Sequence, residues 1–169
     1  NVLKINVNLF VKKYYINLER SKDRRLFMEN KYKNITRIDA FDGKELKKYN
    51  NIILPEKKYC KQNKLQLGCS LSHIKAIITA YENNDKEALI LEDDMSDEFS
   101  HKWEKNIKEI ISNAPLDHDL ISLYTNNDYI MKDIYKKKED YIKWYYKHFS
   151  TGCYYINRKG MEKIYNLFY

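Results

Sequence analysis

Short unbroken apolar runs alternate along the chain with longer segments in which apolar residues recur at helical spacing, and this pattern predicts the elements. The first run is Tyr14, Tyr15, Ile16, Asn17 and Leu18, bounded by Lys12 and Lys13 before it and by the charged stretch ERSKDRR after it. It predicts a buried strand that opens into a polar loop and then a helix over 22–32, with Leu26, Phe27 and Met28 facing inward. A second strand is expected at 35–40, closed by the turn pair Asp42 and Gly43. Residues 44–66, which include Pro55, are polar and predict a loop with short helical pieces.

From Gly68 the period becomes helical. Leu71, Ile74, Ile78 and Tyr81 form an apolar stripe that Ile77 widens, while Gly68, Ser72, Lys75 and Thr79 share another face. Asn83, Asn84 and Asp85 end that helix, and the run EALIL at 87–91 predicts a central strand buried on both sides. A helix over 103–113, a strand over 119–124, a strand over 149–156 containing Gly152 and a helix over 158–168 complete the prediction. Strands separated by helices indicate an α/β domain with a mainly parallel central sheet flanked by helices. In such sheets ligands bind outside the carboxyl ends of the strands, which is where Glu92, Asp93 and Asp94 fall.

A chain of 169 residues fits one domain, expected to span 1–169 and open to truncation at either end, since it begins at Asn1. The formal charge of +7 raises nucleic acid as a partner, but no basic run is interleaved with stacking aromatics, so a solvated lysine surface explains the charge better. Three cysteines, none in a CxxC pair, argue against a disulfide framework or a structural zinc site, and Cys69 and Cys153 are expected to be buried thiols. No apolar run reaches the ~18 residues of a membrane span.

The chemistry concentrates at Glu92, Asp93 and Asp94. Three adjacent carboxylates at the mouth of an apolar core repel one another unless a cation or hydrogen-bond donors compensate. Oxygen-only ligands favour Mg²⁺ or Mn²⁺, ions that bridge protein carboxylates to substrate phosphates. Strand alternation puts Glu92 and Asp94 on one side and Asp93 on the other. A solvated turn that merely stops the strand is the competing reading, and the triplet alone does not decide between them.

The segments INLERSKDRR, RIDAFDG, LGCSLSH, LILEDD and STGCYYINRKG stand in this order. Together they resemble glycosyltransferase family 25, which includes bacterial lipooligosaccharide galactosyltransferases and collagen β-galactosyltransferases, and the likeness runs from about Tyr14 to Lys163. The resemblance implies a GT-A-like, Rossmannoid nucleotide-sugar-binding domain, a UDP-sugar donor, usually UDP-galactose, and Mn²⁺-assisted transfer with inversion to a glycan or a hydroxylysine-type protein acceptor. Matched onto the family's acidic motif, Asp94 holds the metal, Asp93 meets the ribose, and Glu92 supports them or completes the metal shell.

Further donor-site candidates are Asn17 and Leu18 at the end of the first strand, and Arg20 and Arg25, whose guanidinium forks suit phosphate. Arg24 is read as an ion-pair partner of a neighbouring acid. Asp39 is a candidate by the resemblance and Asp42 a weaker one, while Ser72 and Lys75 sit where the helix start can receive an anion. His73 is expected to be a hydrogen-bonded core histidine, and Tyr154 and Tyr155 core and cleft wall. The base that an inverting transfer requires is assigned to Asp128, with Asp119 and His148 as alternatives. Two other classes compete: an inactive or reduced nucleotide-sugar-binding module, and a metal-dependent phosphohydrolase.

Overall fold

The computed structural model describes residues 11–48, 63–96, 98, 100–145 and 148–168. Five strands, β1 (Lys12–Asn17), β2 (Ile35–Asp39), β3 (Glu87–Glu92), β4 (Leu120–Ser122) and β5 (Cys153–Asn157), form one sheet in the order β2-β1-β3-β5-β4. β1 pairs in parallel with both β2 and β3, whereas β5 runs antiparallel to both β3 and β4. The sheet is therefore mixed, with two parallel and two antiparallel pairings, and the expected mainly parallel sheet is not found. The α/β class stands. The long connection over 123–152, which carries α4 (Asp128–Lys137), returns the chain into β5 in the opposite direction, a reversal that apolar periodicity does not encode.

Strand alternation divides the core into two layers. Tyr14, Ile16, Ile90, Tyr154 and Ile156 face α2 (Lys64–Glu82) and α5 (Arg158–Tyr165), where Ala76, Ala80 and Met161 meet them. Tyr15, Leu89, Leu91 and Tyr155 face the other side, against Met28 and Tyr32 at α1 (Lys22–Lys31) and Ile107 of α3 (Ile107–Ser112). Both β1 and β3 are thus covered on two faces, which is why their runs are continuously apolar.

Several boundaries move for identifiable reasons. α2 begins four residues before Gly68, because Asn63 and Gln66 form a reciprocal capping box. The helix expected over 103–113 shortens to Ile107–Ser112 because Asn106 and Glu109 form another. Asn34 and Asn84, past the ends of α1 and α2, adopt left-handed backbone (φ 57° and 59°), a conformation asparagine tolerates better than most residues. The last strand starts at Cys153, after Gly152 rather than around it, and the last helix stops at Tyr165. α4 was not foreseen. Pro55 and Cys60 lie outside the described residues.

Three packing expectations are corrected. Leu26 and Phe27 are exposed, and of the three residues expected inward α1 buries Met28 alone. On α2 the buried face is Gly68, Ser72, His73, Ala76, Ile77 and Ala80, while the larger Leu71, Ile74 and Ile78 are half-buried. A helix pressed closely on a sheet selects small side chains at the contact, so the widest apolar stripe ends up beside it. Cys69 is exposed and Cys153 half-buried, with the Cys153 thiol pushed up to about 12 by the burial of its sulfur.

Candidate functional site

An open cleft lies at the carboxyl ends of β1 and β3. Its walls include Leu18, Arg20, Arg24, Phe41, Cys69 and His73, and its acidic side is Glu92, Asp93 and Asp94. The 41–43 turn forms one lip because two glycines let it lie directly on α2. A Cβ on Gly68 would stand 2.7 Å from the Gly43 nitrogen and 2.8 Å from the Phe41 oxygen. Ser72 then pins the turn: its hydroxyl accepts from the Phe41 amide at 2.8 Å and donates to the Gly68 carbonyl at 2.7 Å. Lys75 donates to the Asp39 carbonyl at 2.8 Å and lies over the Phe41 ring.

Asn17 is the hub of the acidic side. It is 1 % exposed, and its amide nitrogen donates to Asp93 Oδ2 at 2.6 Å and to the Ser21 carbonyl at 3.0 Å. Its amide oxygen accepts from Arg37 Nε at 3.0 Å and Arg25 Nε at 3.4 Å. Arg25 and Arg37 also both donate to Glu19, whose carboxyl they hold below the usual range, Arg25 contributing most. Arg37 further reaches Asp39, at 2.9 Å. Neither Arg37 nor this network is expected from the residues alone; an arginine in the middle of a short strand carries no sequence signal of its own.

Arg24 lies across the acids. Its Nη1 is 3.0 Å from Asp93 Oδ1 and 3.0 Å from Asp94 Oδ2. Strand alternation does not separate the two aspartates, because β3 ends at Glu92 and both lie in the turn that follows. Asp93 is largely covered and Asp94 half-exposed. Glu92 turns elsewhere: its Oε1 accepts from Thr151 at 2.6 Å and lies 3.1 Å from His73 Nε2. Those two contacts, the His73 one first, hold the Glu92 carboxyl below its ordinary range against the opposing effect of burial. His73 is buried as expected, its Nδ1 3.1 Å from the Tyr154 hydroxyl.

Residues from all five of the motif segments, INLERSKDRR, RIDAFDG, LGCSLSH, LILEDD and STGCYYINRKG, meet at or just behind this cleft. Residues 10–169 match the family described as glycosyltransferase family 25 (LPS biosynthesis protein). The chain belongs to that family. A comparison with curated proteins finds no relative. Family membership makes the chain a glycosyltransferase by descent, with a sugar donor and a glycan acceptor as the family's substrates. Among the described residues no helix is long and apolar enough to cross a membrane.

Within this family 25 chain, the remaining candidates fall at different places. Arg20 lines the cleft and pairs with Asp42 across its mouth. Asp39 ends β2 beside the cleft, its side chain half-exposed. Asp128 is exposed in the first turn of α4, beyond the carboxyl end of β4, on the same edge of the sheet as the acids but not among the cleft-lining residues. Asp119 stands at the opposite edge: its carbonyl accepts from the Asn157 amide, Asn157 pairs with Glu87, and its carboxylate binds Lys163. The rise along β3 from Glu87 to Glu92 puts it roughly 17 Å from the acids. His148 is buried against Asp133, at 3.1 Å, and Tyr145.

Proposed function

We propose that this chain transfers a sugar, galactose in the first instance, from a UDP-sugar to a hydroxyl of a glycan or hydroxylysine-type acceptor, with inversion and with Mn²⁺ or Mg²⁺ at Asp93 and Asp94. The carrying observation is the convergence of these two carboxylates on a single cationic nitrogen at the open end of β3. The donor set fits a hard divalent ion, since it is all oxygen, already gathered around one positive centre, and half-open to solvent. When bound, such an ion offsets the charge of the diphosphate and of the departing UDP.

The chain's own residues supply the rest. Asn17 holds Asp93 in one rotamer, and Glu92, tied to His73 and Thr151, anchors the strand end from which both aspartates project. Leu18 gives the cleft an apolar floor for the uracil or ribose, and Arg20 at its mouth is placed to meet phosphate. Arg25 and Asp39 act through the network around Asn17 and Arg37, and Ser72 and Lys75 hold the 39–41 segment as a preformed wall. The acceptor's proton is assigned to Asp128, on the same edge of the sheet.

Calorimetric titration of UDP and a panel of UDP-sugars, with and without Mn²⁺, tests this reading beside Asp94→Ala. Metal-dependent binding that vanishes in the variant, followed by transfer to an acceptor, supports it. Binding without turnover identifies a nucleotide-sugar-binding module, and release of phosphate without acceptor identifies a phosphohydrolase.

A further inference from the structure

Cys69 and His73 are one helical turn apart on α2, so their side chains leave the same face of the helix. The fold brings the end of β3 to that face. One ligating atom each from Cys69, His73 and Glu92 lies within 4.8 Å of the others. We propose that Cys69, His73 and Glu92 form a binding site for a thiophilic divalent cation of the zinc class, separate from the oxygen-only pair Asp93 and Asp94.

Three protein ligands with a fourth position left to the cleft is the arrangement of zinc sites that keep an open coordination position. Thiolate, carboxylate and neutral imidazole together balance a divalent charge. Sulfur and imidazole donors select a borderline or soft ion, whereas Asp93 and Asp94 select a hard one, so the two sites divide the metals between them. Bonds of ~2.0–2.3 Å bring ligand atoms to roughly 3.3–3.8 Å of one another. His73 Nε2 and Glu92 Oε1, at 3.1 Å, are already that close. A rotation of the exposed Cys69 side chain closes the remaining gap.

The surroundings suit the ligands as well. The Tyr154 hydroxyl, 4 % exposed with its residue, sits 3.1 Å from His73 Nδ1; when Nδ1–H donates to it, the Nε2 lone pair points toward Glu92 and Cys69. Thr151 donates to Glu92 at 2.6 Å, holding that ligand from a third segment. In the absence of an ion, desolvation and the neighbouring carboxylates keep the Cys69 thiol protonated. Metal binding forms the sulfur–metal bond and releases that proton to solvent. An ion here ties α2 to the strand end that immediately precedes Asp93.

Cobalt(II) is the probe, titrated into the full chain without nucleotide, because a cobalt–thiolate bond gives a near-ultraviolet charge-transfer band. The band is expected in the wild type, in Cys60→Ser and in Asp94→Asn, and lost in Cys69→Ser. Added Zn²⁺ should displace it, and His73→Gln should weaken Zn²⁺ binding at least about tenfold by calorimetry. Circular dichroism establishes that each variant is folded. No band in the folded wild type, or an undiminished band in Cys69→Ser, overturns the proposal. Loss of Mn²⁺-dependent UDP binding is a separate readout, so either site can fail alone.

Discussion

Arg24 Nη1 is equidistant, at 3.0 Å, from a carboxylate oxygen of Asp93 and one of Asp94. One guanidinium nitrogen thus stands where the two acids converge, and it keeps them from repelling each other. The same acids raise the affinity of Arg24 for its own proton, the Asp93 hydrogen bond contributing most.

A cation already in place competes with one that arrives. Arg24→Gln should therefore tighten Mn²⁺ binding in the absence of nucleotide by about two- to fivefold, the equivalent of an ion pair worth ~0.5–1 kcal/mol at a half-exposed side chain. UDP affinity should fall in the same variant, because the cleft loses one of its two lining guanidinium groups, Arg20 being the other. Electron paramagnetic resonance of free Mn²⁺ measures the first effect and calorimetry the second; weaker Mn²⁺ binding would show that Arg24 organises the acids instead of competing for them.

Asn17 has no water to replace its partners if its amide is removed, since it is 1 % exposed. Asn17→Ala leaves Arg37 Nε without its amide acceptor and Asp93 Oδ2 without its amide donor, at a cost of about 2–3 kcal/mol in urea unfolding. Metal-dependent UDP binding should weaken in the same variant, because Asp93 loses its fixed rotamer. An unchanged unfolding midpoint would remove Asn17 from the role given to it here.

Gly68→Ala pits helix propensity against sterics. Alanine favours the helix by ~1 kcal/mol, but its Cβ would overlap backbone atoms of Phe41 and Gly43, which cannot rotate away. The net effect should be a loss of about 1–3 kcal/mol together with weaker donor binding, as the 41–43 turn lifts from α2. Chemical unfolding and UDP titration of the one variant read both; a stabilised protein would mean that the turn gives way freely.

Tyr14 couples stability to alkaline pH. Burial, and the hydroxyl's 2.5 Å hydrogen bond to Asp85, push its phenol up to about 12. A group whose folded pKa is raised contributes stability that is fully present below its unfolded value, ~10, and is lost as pH rises through the folded one. Between those limits the unfolded chain has released a proton that the native chain keeps. Tyr14→Phe should show a shallower loss of stability over that range, by about one proton in the slope; an identical slope would place the titration elsewhere.

Much of the fold was legible because burial on two faces leaves an unbroken apolar run. The runs at Tyr14 and at Ala88 became β1 and β3, and the acids after Leu91 came to line the cleft at the strand end. Capping boxes at Asn63 and Asn106 are written in the sequence too, and they move the start of α2 back to Lys64 and shorten α3 to Ile107–Ser112. What the residues could not express is direction and partnership across distance. The antiparallel course of β5 depends on how α4 returns the chain, and the grip of Asn17 on Asp93 spans 76 positions.

By itself, then, the sequence determined the α/β alternation, the central strands, the family and the position of the acidic triplet, because each is carried by neighbouring residues through local periodicity or contiguous motifs. Tertiary structure alone decided that the sheet is mixed and that Arg24 joins Asp93 to Asp94. It also decided that Glu92 turns to His73 and Cys69, and that Asp119 stands at the far edge. Those facts rest on which distant side chains meet once two core layers close on the sheet, and no local pattern encodes such meetings.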